Sequence, residues 1–64
     1  PVHSYLLQLR IEKAKELLRT TSMSVLQVAQ AVGYDGVSQF NAAFRRRVGV
    51  APGKYRKMSE SGGI

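Results

Sequence analysis

At 64 residues the chain is one small domain, a size that buries only about 60% of its unfolded surface, and with no cysteine it has neither disulfides nor thiolate metal ligands to reinforce it. Ten Lys/Arg against four Asp/Glu give a formal net charge of +6 and a pI near 10.4, a balance that favours polyanionic partners. A lone histidine, His3, cannot build a metal site, no apolar run approaches the ~20 residues that span a bilayer, and no signal-peptide pattern is present.

Residues 3–20 read as a first helix. At 100° per residue, Leu6, Leu7, Ile11, Ala14, Leu17 and Leu18 fall on one broad face. Glu12 with Lys15, and Glu16 with Arg19, stand at i, i+3 spacing, each pair contributing about 0.2–0.5 kcal/mol. Arg19 also suits the negative C-terminal end of the helix dipole. Tyr5 and Leu9 lie off the main stripe, towards a second face that hints at contact with something outside the chain.

Thr20-Thr21-Ser22-Met23 is a polar break. Ser24 then offers an N-cap, and Gln27 three residues on completes a Ser-x-x-Gln capping box, with Met23 placed to staple against Val28. Val25, Val28, Ala29 and Val32 form the core face of this second helix, and Ala29 is small where two helices must approach closely. Gly33 ends the helix, at a position where a left-handed backbone is easiest for glycine.

Asp35 is expected to cap the third helix, whose buried stripe is Val37, Phe40, Phe44 and Val48. Gly49 stops it. Pro52 suits the first position of a short terminal turn through Gly53-Lys54-Tyr55-Arg56, and Ala51 before it is a poor cap. Ser59 to Ile64 carries no periodicity and is expected to fray. The expected organisation is therefore a helix over 1–22, a compact unit over 23–57 and a flexible tail over 58–64.

Charge is unevenly spread along this plan. Arg10, Lys13, Lys15 and Arg19 against Glu12 and Glu16 leave the part before Gly33 at +2. From Gly33 to Lys57, Arg45, Arg46, Arg47, Lys54, Arg56 and Lys57 face Asp35 alone, a net of +5. A short capped helix, a glycine-containing turn and a polar helix loaded with arginine make a helix-turn-helix signature, and a basic excess on it is the footprint of a nucleic-acid binder.

Three runs of residues carry a family resemblance: Arg10-Ile11-x-x-Ala14-x-x-Leu17-Leu18, then Val28-Ala29-x-x-Val32-Gly33-Tyr34, then Ser38-x-Phe40-x-x-x-Phe44-Arg45-x-x-x-Gly49-x-x-Pro52-x-x-Tyr55-Arg56. With many fixed spacings agreeing at once, nearly the whole chain up to Lys57 resembles the AraC/XylS family of bacterial transcription regulators. The resemblance implies an all-α, homeodomain-like helix-turn-helix subdomain of three main helices plus a short C-terminal turn of helix. It also implies that residues 3–20 are the helix linking two such units and residues 24–48 the second unit. The first unit and the effector domain would be missing partners, which would account for the start at Pro1 and the spare face at Tyr5 and Leu9. The implied setting is cytoplasmic and nucleoid-associated, with double-stranded DNA as partner, no cofactor, and RNA polymerase as a further protein contact.

Opposite the apolar stripe of the third helix lie Ser38, Ala42, Arg45 and Arg46, flanked by Gln39 and Asn41. In a major groove, the early residues of such a helix meet base edges and its later arginines meet the backbone. Ser38 and Ala42 are thus expected at bases, Gln39 and Asn41 beside them, Arg45 at phosphate or base, and Arg46 at phosphate. The family position matching Ala42 often carries a long polar or basic residue, so alanine here leaves at most a methyl contact with thymine. Ser24 and Gln27 can offer donors to a phosphate besides capping their helix. Lys54 can touch the backbone from the terminal turn. For Arg47, which projects towards the core side, structural and DNA-facing roles both stay open. Arg10 matches a family position that bridges helices.

Other functions fit less well. Paired carboxylates in a cleft, a histidine beside a nucleophile and a glycine-rich phosphate loop are all missing from the sequence, so it does not read as an enzyme. A membrane-active basic peptide would not need capped, glycine-punctuated turns. Tyr34, Tyr55, Phe40 and Phe44 are spaced as core rather than as the stacking platform of a single-strand RNA reader. The alternative of another class is a protein-interaction module that contacts RNA polymerase or another domain.

Overall fold

In the computed structural model the described residues form four helices: α1 (Val2–Thr20), α2 (Val25–Ala31), α3 (Val37–Val48) and α4 (Pro52–Gly62). The structure describes the backbone of residues 2–62 and the side chains of residues 5–60. The His3 side chain, and the part of the expected tail beyond Glu60 as far as side chains are concerned, lie outside them. Among the described residues there is no strand, so the all-α expectation holds.

The core is built from one residue stripe on each of the first three helices. Ile11, Ala14 and Leu18 of α1, Val28 and Ala29 of α2 with its C-cap Val32, and Phe40 and Phe44 of α3 are buried together. No polar or charged side chain is buried with them among the described residues. α1 packs against each of the other three helices and is the beam on which they are mounted. Aromatic rings then link the parts in series: Tyr34 to Phe40 and Phe40 to Phe44 at 5.6 Å between centroids, and Phe44 to Tyr55 at 5.5 Å. Tilted and edge-on pairs at these distances contribute about 0.5–1.5 kcal/mol each beyond their burial. One chain of rings thus joins the α2–α3 turn to α4.

Both interior stops are local. Gly33 has φ +100° and Gly49 φ +99°, the left-handed region where a Cβ is strained. At the end of α2, the Gly33 amide donates to Gln30 O at 3.2 Å and the Tyr34 amide to Ala29 O at 2.9 Å, the paired bonds of a Schellman motif. At the start of α2 the capping box is complete. The Gln27 amide donates to Ser24 Oγ at 3.1 Å, and the Ser24 amide to Gln27 Oε1 at 2.8 Å.

Four expectations are corrected. Asp35 does not cap α3; the N-cap is Gly36, in extended backbone, with no side-chain cap bond. The helix begins one residue later than an aspartate cap at 35 requires, so its carboxylate stays in solvent. Leu6 is 48% exposed, although the helical wheel puts it on the core face; among the described residues the fully buried stripe of α1 begins at Ile11, more than a turn further on. Glu16 pairs with Lys13 at 3.3 Å rather than with Arg19, while Lys15 reaches Glu12 at 3.8 Å as its spacing foretold. Finally, the terminal turn is an 11-residue helix that runs through residues 58–62 of the expected tail. Buried Pro52 starts it, half-buried Tyr55 and Arg56 anchor it to α1 and α3, and Lys57, Met58 and Glu60 are residues that propagate a helix well once its first turn is held.

Candidate nucleic-acid interface

α3 is amphipathic, and its burial dictates what it can present. With Phe40 and Phe44 fully buried and Val37 and Val48 half-buried, the remaining surface of the helix is set by the 3.6-residue turn. Ser38, Gln39, Ala42, Arg45 and Arg46 are exposed and Asn41 is half-buried. Arg46 points most directly away from the core, between Ala42 and Gln39. Arg45 and Asn41 stand on one flank of that face. The expected readers Ser38, Gln39, Asn41, Ala42, Arg45 and Arg46 are therefore brought together on one side of one helix.

Electrostatically this side is one-signed. Neither Arg45 nor Arg46 has an ion pair or a side-chain hydrogen bond among the described residues. α3 carries no carboxylate; Glu12 and Glu16 sit on α1, Asp35 in the turn and Glu60 on α4. Three arginines in the last turn of α3 also favour its C-terminal dipole, which is enough to place them there without any ligand. What the dipole does not require is that two of them stay unpaired on the face opposite the core.

Arg47 leaves that face. It lines a groove of about 310 Å³ between α1 and the end of α3, together with Gln8, Ile11, Glu12, Lys15 and Val48. The open choice between its two roles is thus narrowed by direction: its side chain is turned to α1 rather than to Arg46.

Ser24 and Gln27 stand at the N-terminus of α2, and each has an oxygen committed to the capping box. What they retain to offer is the Ser24 hydroxyl proton and the Gln27 side-chain amide protons. Lys54 is exposed on the first turn of α4, where no acidic residue competes for it.

Two of the arginines are held by the protein itself. The Arg10 guanidinium lies 5.7 Å from the centroid of the Tyr34 ring and covers Gly33, where an added Cβ would come within 3.5 Å of it. This is the helix-bridging position that the resemblance implied, with α1 gripping the turn between α2 and α3. Arg56 is half-buried and donates from Nε to Leu18 O at 3.1 Å and from Nη2 to Thr21 O at 3.2 Å. Counting it among the basic residues near α3 overstates the charge free for a ligand. No local signal marks Arg56 for this task, since its acceptors are 38 and 35 residues away. The Tyr34 hydroxyl is buried and has no hydrogen-bond partner among the described residues.

Comparison with known proteins agrees with this geometry. A family model described as a helix-turn-helix domain matches residues 1–58. The chain is 42% identical over 55 residues to the HTH-type transcriptional regulator MtrA of Neisseria gonorrhoeae, covering 86% of this chain and 18% of that protein. It is 43% identical over 54 residues to the transcriptional activator NphR of Rhodococcus sp, covering 84% and 16% respectively. It thus spans less than a fifth of the length of either regulator. Among solved structures, the C-terminal domain of the two-component response regulator yesN from Fusobacterium nucleatum superposes with a TM-score of 0.85 at 41% identity, over 88% of this chain and 54% of that one. On a matched fold, a matched sequence and a family model that covers nearly all of it, the chain belongs to the AraC/XylS family of helix-turn-helix transcription regulators.

Proposed function

We propose that this chain is the second half of a sequence-specific DNA-binding domain in a bacterial transcription regulator, with α3 lying in the major groove. The observation that carries this is the open face of α3: unpaired Arg45 and Arg46 beside small and polar Ser38, Gln39, Asn41 and Ala42, on a helix whose other side is locked by Phe40 and Phe44. Ser38 and Ala42 approach base edges, with Ala42 limited to a methyl contact with thymine, and Gln39 and Asn41 make the flanking contacts. Arg45 engages phosphate or a base edge and Arg46 a phosphate. The retained protons of Ser24 and Gln27, and the Lys54 ammonium, hold the backbone on either side. α1 serves as the helix that joins this unit to another of its kind elsewhere in the parent protein, which acts in the cytoplasm on the nucleoid.

A single unit of this kind binds in the roughly 10⁻⁴–10⁻⁶ M range at physiological salt, and linkage to a second unit raises its affinity through effective concentration. The test is a fluorescence-anisotropy titration of the chain with duplex DNA at about 50 and 200 mM salt. Steep weakening with salt is expected. Arg45→Ala should lower affinity across all sequences and reduce the slope of log K against log salt by about 0.9. A folded chain that binds at neither salt would leave the other reading, a surface for RNA polymerase or another domain.

A further inference from the structure

We infer that Arg56 is a positioning residue that ties the entrance of the helix-turn-helix unit to its exit, and not one of the cations that face DNA. The inference rests on the proposed function only for its effect on affinity. A helix C-terminus leaves its last carbonyls without partners inside the helix. α1 has no glycine to close its end; Leu17 O accepts both the Thr21 amide at 3.0 Å and the Thr21 hydroxyl at 2.7 Å, and the Thr20 hydroxyl donates to Glu16 O at 2.8 Å. Arg56 adds a bond from Nε to Leu18 O, in the last turn, and one from Nη2 to Thr21 O, just past the helix end. Its positive charge also stands at the negative end of the α1 dipole.

Between Thr21 and Arg56 run α2, the glycine turn and α3, the whole of the proposed reading unit. The guanidinium therefore closes that unit into a loop at the point where it leaves α1. Lys15, 6.0 Å from the Tyr55 ring centroid, and Tyr55 packed edge-on against Phe44 hold the same junction. A planar fork with donors on separate nitrogens meets two carbonyls at once; a lysine ammonium, a compact point charge on a flexible stem, does not reproduce this. Without the clamp, α3 is presented by a looser frame. Binding then weakens because the face must be ordered on contact, while the number of phosphates neutralised stays the same.

The experiment compares the chain with its Arg56→Lys and Arg56→Ala variants, using Arg45→Ala as reference. By NMR, the Arg56 Nε–H of the unmodified chain should exchange slowly while those of Arg45 and Arg46 exchange freely. Arg56→Lys should lower the protection of the Thr21 and Met23 amides by about tenfold, as for one or two lost hydrogen bonds. It should also lower Tm by about 4–8 °C. In duplex titrations Arg56→Ala should weaken binding with the salt slope unchanged, whereas Arg45→Ala loses about 0.9 of it. An Arg56 Nε–H as labile as that of Arg45, or unaltered amide protection in Arg56→Lys, overturns the inference, as does a slope loss matching that of Arg45→Ala. If the unmodified chain binds no duplex at any salt, the DNA reading alone fails and the exchange data decide Arg56. If Arg56→Ala does not fold, Arg56→Lys carries both arms.

Discussion

Tyr34 shows how one side chain can serve packing at the expense of its polar tip. Its ring sits between Phe40 and the Arg10 guanidinium, and its hydroxyl is buried without a partner among the described residues. An unsatisfied buried hydroxyl destabilises by about 1–3 kcal/mol, more than an extra hydrogen bond normally returns. Tyr34→Phe keeps the ring and removes the orphan, so it should raise stability by about 1 kcal/mol in urea titrations. A lower midpoint would mean that the hydroxyl has a partner in solution. Arg10, Tyr34 and Arg56 also mark the limit of sequence reading at this scale. Arg10 is legible as a bridge through the family pattern. Arg56 falls in with the DNA-facing cations when composition alone is weighed, because composition treats every guanidinium alike. Its hydrogen bonds depend on where the end of α1 comes to rest beside α4, which no neighbouring residue reports.

Helix boundaries divide into those closed by neighbours in sequence and those closed by distant groups. The ends of α2 and the C-terminus of α3 are of the first kind. Ser24 with Gln27, Gly33 and Gly49 each act within a few residues, and all are legible in the sequence. Gly49 has open space where a Cβ would sit, so Gly49→Ala measures the left-handed backbone alone and should lose about 1–2 kcal/mol. Gly33→Val should lose more, since its branched side chain must also displace Arg10, which an added Cβ already meets at 3.5 Å. Equal melting temperatures for the two variants would remove Arg10 from that explanation. The start of α3 lies one residue beyond the position that Asp35 suggests. Gly36 holds the N-cap in extended backbone, and a Cβ added there would meet nothing within 4 Å. A serine therefore fits, and its hydroxyl oxygen can accept from an amide of the first turn. Gly36→Ser should raise Tm, by an amount equivalent to about 0.5 kcal/mol. The extent of α4 exceeds the sequence-based expectation for the opposite reason. A weak cap at Ala51 predicts fraying when only local terms are counted, while anchorage of Tyr55 and Arg56 to the other helices supplies the nucleus.

For the molecule as a whole, stability rests on few side chains. Phe40 and Phe44 are the largest of those fully buried, and they connect the turn, α3 and α4 through tilted and edge-on rings. Phe44→Ala removes two ring pairs and should cost about 3–5 kcal/mol, enough to abolish a cooperative melt in a domain of this size. Persistence of a sharp transition in circular dichroism would show that α1, α2 and α4 hold together without the series of rings. The sequence by itself determined that the chain is all-helical, where α2 lies between its caps, which stripe of α3 is buried, and which family it joins. These features follow from capping, glycine conformation and helical periodicity, whose forces act across one or two turns. Only the tertiary structure decided that Arg45 and Arg46 stay free while Arg47 turns to α1 and Arg56 is spent on carbonyls, and that α4 runs for 11 residues. Charges that look equivalent along a chain become different when packing supplies some of them with partners tens of residues away.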